Sequence, residues 1–242
     1  MKLLTQNEQK TLAATKAVDT LVEKGLIHSG MKIGLGTGST AIPAVKRLSE
    51  YIADGRLREI KAVVTSFQTQ NACADWGIDV YTLNDRAIGG QLELAIDGAD
   101  EVDPECNLIK GGGAALLREK IVEYNAARLV IVADSSKAVS DMGTRFALPV
   151  EIIGEAFAPV KTALQDLGAS VTLREGVRKC GPVITDNGNW IVDCLWKTPV
   201  NPAQMEDEIN RITGVVENGF FTKNKPAVFI AKADGTVEIR NL

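Results

Sequence analysis

Lys32-Ile33-Gly34-Leu35-Gly36-Thr37-Gly38-Ser39-Thr40 is the stretch from which the fold is read. A short apolar strand, Lys32–Leu35, runs straight into glycines. Ala41, Val45, Leu48 and Ile52 then fall on one face of a helix, with Pro43 tolerated in its first turn. Upstream, Ala14, Val18, Leu21 and Val22 give a helix over 7–24, and Gly25 stops it. Downstream, the pattern predicts strands at 62–65, 80–83, 92–96 and 129–133, with helices over 68–76 and 114–124. Strands alternating with helices require right-handed crossovers. The expected class is therefore α/β: a Rossmann-like, mostly parallel sheet with helices on both faces.

After Lys137 the pattern changes. A strand at 148–153 precedes a helix carrying Val160, Leu164 and Leu167, ended by Gly168. Strands follow at 170–174, 183–185 and 190–194, the last two joined by Asp186-Asn187-Gly188-Asn189. A helix with Met205, Ile209 and Ile212 closes before Gly214. This order predicts a small α+β subdomain of ferredoxin-like type with an antiparallel sheet. A last hairpin, 227–231 and 237–239 around Asp234-Gly235, returns to the first sheet, making the small subdomain an insertion. The expected division is residues 1–145 with 221–242 as the main α/β domain, and 146–220 as the insertion.

The chain has 242 residues, 45% apolar and 24% charged, enough for a core without disulfides or metal staples. Its 27 basic and 31 acidic residues leave a net charge of −4, which argues against binding nucleic acid or anionic membrane through a basic surface. Cys73, Cys106, Cys180 and Cys194 have no CxxC spacing and are expected to be reduced. There is no 18-residue apolar run, and Met1–Lys10 has no signal-peptide core, so a cytoplasmic location is expected. His28 is the single histidine, which excludes a multi-histidine metal site and leaves a Ser-His-Asp triad only one candidate; its place between a helix and a strand predicts a surface loop.

Three motifs each follow an apolar strand, and ligands of open α/β sheets bind beyond the carboxyl ends of strands. In Gly36-Thr37-Gly38-Ser39-Thr40 the glycines permit a tight turn, the following helix offers free amides, and Thr37, Ser39 and Thr40 add hydroxyls. A phosphate suits this better than a plain capped turn does. The loop lacks the Gly-Lys-Ser/Thr of a Walker loop and the third glycine of a dinucleotide fingerprint. Asp97-Gly98-Ala99-Asp100-Glu101-Val102-Asp103 holds four carboxylates without EF-hand spacing. It reads either as a solvated acidic turn or as a working site, and an Asp97 buried at a strand end is costly unless used. Lys110-Gly111-Gly112-Gly113 exposes a run of backbone amides, an anion nest or oxyanion hole, and leads into a helix carrying Glu119. By itself Glu119 would be an ordinary helix glutamate. Phosphate-binding groups beside carboxylates and a lysine fit metal-free acid–base chemistry on a small phosphorylated sugar or polyol.

At these motifs the sequence resembles the type A ribose-5-phosphate isomerases. The likeness rests on GLGTGST (34–40), DGADEVD (97–103) and KGGGAALLREK (110–120). It continues through ALPVEI (147–152), ITDNGNWIVD (184–193) and ITGVVENGFF (212–221), and Thr65–Thr69 fits one of several family variants. The resemblance implies interconversion of D-ribose 5-phosphate and D-ribulose 5-phosphate through an enediolate, without metal or organic cofactor. It implies Glu119 as the base moving a proton between C1 and C2, and Asp97 as the carboxylate serving proton movement between the oxygens. Asp100 and Lys110 would open the ring and polarise its oxygens. Gly111, Gly112 and Gly113 would bind the oxyanion. Thr37, Gly38, Ser39 and Thr40, with Gly98, Ala99 and Lys137, would bind substrate, and Lys10 corresponds to an N-terminal phosphate lysine. A homodimer or homotetramer, assembled through the small subdomain, is implied as well. A carboxylate base effective near neutral pH needs a partly dry site, so a raised Glu119 pKa is expected. The competing readings are a sugar-phosphate-binding regulator on the same fold, which would need a basic helix-turn-helix, and a phosphosugar deaminase or coenzyme A transferase.

Overall fold

The computed structural model describes residues 3–242. In chain order the elements are α1 (Gln6–Glu23), β1 (Lys32–Leu35), α2 (Gly38–Ala53), β2 (Lys61–Val64), α3 (Phe67–Asp75), β3 (Val80–Tyr81), β4 (Leu94–Gly98), β5 (Glu101–Val102), β6 (Leu108–Ile109), α4 (Leu116–Tyr124) and β7 (Leu129–Asp134). They continue with β8 (Leu148–Ile152), α5 (Phe157–Asp166), β9 (Ser170–Leu173), β10 (Trp190–Leu195), α6 (Pro202–Ile209), β11 (Val215–Asn218), β12 (Phe220–Phe221), β13 (Ala227–Ala231) and β14 (Val237–Arg240).

The chain forms two compact units: Met1–Gly98, Arg118–Ala138 and Asn224–Leu242 make the first, Ala99–Leu117 and Val139–Lys223 the second. The first holds a seven-stranded sheet in the order β14-β13-β7-β4-β1-β2-β3. Every neighbouring pair is parallel except the edge hairpin β13–β14. From β1 the chain winds outward through β2 and β3, then returns to β4 on β1's other side. The order therefore reverses between β1 and β4, where such sheets place their ligands. The α/β, mostly parallel architecture is thus as the sequence predicts. Helix α1 starts with a reciprocal cap: Thr5 Oγ1 accepts from the Glu8 amide, and the Glu8 carboxylate accepts from the Thr5 amide at 2.7 Å. Its buried face (Ala13, Ala14, Ala17, Val18, Leu21) joins Ile33, Leu35, Leu48, Leu94, Ile96, Val130 and Phe229 in one core.

In the second unit β8, α5, β9, β10, α6 and β11 follow one another, and the antiparallel sheet has the order β11-β8-β10-β9. That is the predicted ferredoxin-like arrangement, with a core of Leu148, Val150, Ile152, Val160, Leu164, Val192, Cys194, Ile209 and Phe220. A three-stranded sheet, β12-β6-β5, lies in the same unit.

Three details differ from the sequence expectations. The compact second unit takes in 99–117 and 139–145 and extends to Lys223. Antiparallel pairing of β6 with β5 and with β12 gives 99–117 its partners there. The segment 183–185 forms no strand, only an isolated bridge from Ile184 to Trp190, because Thr185 and Asn189 close a tight turn on the Glu151 carboxylate. Strand β4 runs Leu94–Gly98 rather than 92–96, so Asp97 lies within the ladder, opposite Ile131.

Candidate active site

In the first unit, the ladder of β1 with β4 pairs Leu35 with Ile96, and the Gly36 amide continues it to the Ile96 carbonyl at 2.9 Å. Asp97 then lies over Gly36. A Cβ built on Gly36 would stand 2.0 Å from the Asp97 carboxyl carbon, so only glycine fits. Asp97, 1% exposed, has Oδ1 accepting from the amides of Thr37 at 3.0 Å and Gly98 at 2.6 Å. The glycine turn thus buries a carboxylate at the switch point and supplies it with donors, which offsets its desolvation.

The hydroxyls of this loop divide their work. Thr37 Oγ1 lies 2.6 Å from Thr65 Oγ1 and 2.7 Å from Ser66 Oγ, and Thr69 Oγ1 donates to the Gly36 carbonyl at 2.7 Å. Gln68 Oε1 accepts from the Gly38 amide at 3.0 Å. Ser66 caps α3 through the Thr69 amide, so the strand end Thr65–Thr69 braces the loop from the β2 side. Ser39 is exposed, and Lys10 Nζ reaches its Oγ at 3.0 Å. The N-terminal lysine is therefore brought to the loop. Thr40 packs by its Cβ against the Gly98 position. Lys137 ends a single turn that Asp134 caps through the Ser136 amide, and it is half-buried.

Glu119 is 5% exposed. Its placement follows from how α4 docks. The helix ends where Leu92, ahead of β4, takes the Asn125 carbonyl at 2.9 Å and bridges Ala126, so the helix's carboxyl end is at the amino end of the strands. Gly34 has no side chain, and a Cβ there would meet Val122 at 2.5 Å; α4 packs directly on β1. Glu119 lies three residues before Val122, on the same helix face. It therefore points to the sheet side, one turn nearer the strand ends where Asp97 sits. Lys120 and Glu123 are buried as well, at 4% and 0%. Sequence reasoning missed the burial of both; for Glu123 its i+4 spacing from Glu119 was the available signal, and for Lys120 there was none.

In the second unit, Asp100 and the triglycine segment meet. Asp100 Oδ2 accepts from the Gly112 amide at 2.7 Å, and the Asp100 amide donates to the Ile109 carbonyl. Gly111 has φ +99°, and a Cβ there would come within 2.8 Å of Leu116, so the bend needs glycine. Gly112 and Gly113 are exposed. Lys110 is 2% exposed, its amide bound to the Gly219 carbonyl and its Nζ 5.5 Å from the centre of the Phe221 ring. The remaining acids of the run have their own tasks. Asp103 accepts from the Asn107 amide and side chain at 2.8 and 2.7 Å, closing a turn. Glu101 accepts from the Phe146 amide at 2.9 Å, and burial pushes its carboxyl above the usual range. Among the described residues, no three His, Cys, Asp or Glu side chains are grouped to hold a metal ion. No disulfide joins the four cysteines, and burial pushes the thiol of Cys73 up to about 11 and that of Cys194 up to about 12. No helix of the described residues is long and apolar enough to cross a membrane.

The family model for ribose 5-phosphate isomerase A (phosphoriboisomerase A) matches residues 61–235. The chain belongs to this family. A relative named ribose-5-phosphate isomerase A in Treponema denticola is 56% identical over 96% of this chain and 98% of its own. Another of that name, in Treponema pallidum, is 52% identical over 96% and 92%. Among solved structures, a D-ribose-5-phosphate isomerase in complex with phospho-erythronic acid matches with a TM-score of 0.91 and 38% identity, covering 99% of this chain and all of the other. The ribose 5-phosphate isomerase A of Methanocaldococcus jannaschii matches with a TM-score of 0.89 and 39% identity, covering 98% and 100%. These matches do not favour a sugar-phosphate-binding regulator.

Proposed function

We propose that this protein is an aldose–ketose isomerase interconverting D-ribose 5-phosphate and D-ribulose 5-phosphate in the non-oxidative pentose phosphate pathway, with proton transfer through an enediolate. The observation that carries the mechanism is the pair of buried carboxylates, Asp97 and Glu119, set at the strand ends of the unit that also carries the hydroxyl-rich loop.

The chemistry requires removal of the C2 proton of the aldose and its return to C1. Glu119 takes and returns that proton. A carbon acid beside a carbonyl is weak, so charge appearing on oxygen must meet donors already in place, each worth about 3–4 kcal/mol. The amides of Gly111 and Gly113 and the Lys110 ammonium serve O1 and O2, the Gly112 amide holds Asp100 in place, and Asp97 carries the proton between those oxygens. Asp100 and Lys110 act on the ring oxygen when the furanose opens. Ser39, Thr40, Gly38 and Lys10 take the phosphate, with Thr37 setting their frame and Gly98, Ala99 and Lys137 lining the sugar. Phosphate binding far from C1 and C2 holds the sugar in register for the transfer. The residues that the scheme uses call for neither metal nor organic cofactor.

The assay is ketopentose formation from ribose 5-phosphate by chelator-treated protein. Activity should persist with EDTA, and Glu119→Gln should lower kcat at least about a thousandfold, toward the upper part of the range for loss of a general base. Activity that vanishes with EDTA and returns with a divalent metal overturns the metal-free scheme. Four cysteines without a disulfide support a reducing compartment, the cytoplasm. The resemblance to the family supports a homodimer or homotetramer; a single-chain mass by light scattering refutes it.

A further inference from the structure

Arg174, at the end of β9, has its guanidinium spread between two partners. Nε and Nη2 grip the Asp193 carboxylate in a bidentate pair, at 2.8 Å for Nε to Oδ2. Nη1 donates to the carbonyls of Gly111 and Gly112 at 3.0 and 3.2 Å. The β9–β10 register explains the pair: Thr172 lies opposite Asp193, which puts Arg174 on the diagonal of the same sheet face, within reach of a long side chain. Both side chains are largely withdrawn from solvent, at 17% and 23% exposure.

The two carbonyls belong to the peptide units whose N–H groups are those of Gly112 and Gly113. In the first of these units the cation sits on the oxygen while the N–H donates to Asp100 Oδ2 at 2.7 Å. A cation on the oxygen of a peptide group turns that group and strengthens its N–H as a donor. The order is Asp193, Arg174, the Gly111–Gly112 peptide, Asp100. We infer that Arg174, oriented by Asp193, is a positioning residue of the isomerisation: it fixes and polarises the triglycine amides and, through one of them, orients the Asp100 carboxylate. The inference rests on the reading of Asp100 and the triglycine amides given under Proposed function. Within the segment only the turn bond from the Ala114 amide to the Gly111 carbonyl, at 2.9 Å, restrains these planes, and glycines have no side chains to add more, so Arg174 supplies the further restraint on the Gly111 and Gly112 carbonyls.

The test uses the full-length protein and two probes besides substrate. Phospho-erythronic acid presents a carboxylate where the reacting carbons of the sugar would lie, whereas inorganic phosphate reports only the phosphate pocket. For Arg174→Gln we expect kcat to fall about thirtyfold, part of the about hundred- to thousandfold loss that follows removal of a whole oxyanion donor, with KM within about twofold of the wild type. Inhibition by phospho-erythronic acid should weaken by a similar factor and inhibition by phosphate stay unchanged. Arg174→Lys, which keeps the charge and loses the fork, should recover part of kcat, and Asp193→Asn should show the same split at smaller amplitude. A merely structural pair would lower thermal stability while leaving kcat per folded molecule and the ratio of the two inhibitors alone. That result overturns the inference, as does an equal loss of both inhibitors. If Arg174→Gln does not fold, the split in Asp193→Asn and Arg174→Lys decides in the same way. A wild-type protein without ribose 5-phosphate isomerase activity would refute the functional reading itself, a different outcome from active variants.

Discussion

The two glycine-rich loops are built on opposite plans. The loop at 36–40 is braced by what surrounds it in the β1–α2 and β2–α3 connections: Thr37 by Thr65 and Ser66, Gly36 by Thr69, Gly38 by Gln68. The loop at 110–113 has one turn bond of its own, from the Ala114 amide to the Gly111 carbonyl, and is otherwise braced by Asp100, by Arg174 about sixty residues further on and, at Lys110, by the Gly219 carbonyl more than a hundred residues on. In the first loop hydroxyl and amide side chains do the bracing, from a connection about thirty residues on that lies beside it in the same sheet. A run of bare glycines has no side chain to join in. A loop of bare glycines thus depends on side chains from elsewhere in the chain, and the dependence is invisible in the loop's own sequence.

The severest way to break this contrast is Gly36→Ala. The added methyl overlaps the Asp97 carboxyl at 2.0 Å, in a buried place with no room to yield. Overpacking of this kind costs about 1–3 kcal/mol, and displacing Asp97 by an ångström is worth about a hundredfold in kcat. Calorimetry and steady-state kinetics read the two effects, and near-wild-type turnover would show that Asp97 works from elsewhere. Next comes Arg174→Gln, with its roughly thirtyfold effect on kcat alone; together they separate local from remote bracing.

The smallest effect sharpens the second region. Glu101 has its pKa raised in the folded protein by burial, against the opposing Phe146 amide. A carboxyl raised on folding stabilises the fold at pH below its unfolded pKa, and that contribution is lost as pH climbs through the folded value. Glu101→Gln keeps the acceptor for Phe146 without the charge. It should therefore equal the wild type near pH 4 and melt about 2–4 °C higher at pH 8 if the buried charge costs ~1 kcal/mol. A lower melting point at pH 8 would mean that the charge has an effective partner.

Periodicity reveals long elements, so the α/β alternation and the ferredoxin-like insertion were legible in the sequence. Two-residue strands such as β5, β6 and β12 carry no period, and these are the pieces that draw 99–117 into the second unit. At the site, Asp97 and the loop at 36–40 were legible because an acid or a glycine turn at the end of an apolar strand is conspicuous. Asp100 and Lys110 entered only through the company of motifs. The burial of Lys120 and Glu123 was hidden because charged helix residues ordinarily face water. Arg174 was hidden for a different reason: nothing near it in sequence resembles chemistry, and its value lies in two carbonyls brought to it by the fold.

The first unit is also closed by its own extremities. The Leu4 amide bonds the Ala233 carbonyl at 2.8 Å, and α1 packs on a sheet whose β13 is among the last strands in the chain. During synthesis the helix bearing Lys10 would emerge about two hundred residues ahead of β13, and it would wait for that strand before its seat is complete. The inserted unit, contiguous but for one segment, would be able to fold while that helix is still waiting. The Lys10–Ser39 contact should therefore form after the inserted sheet has folded.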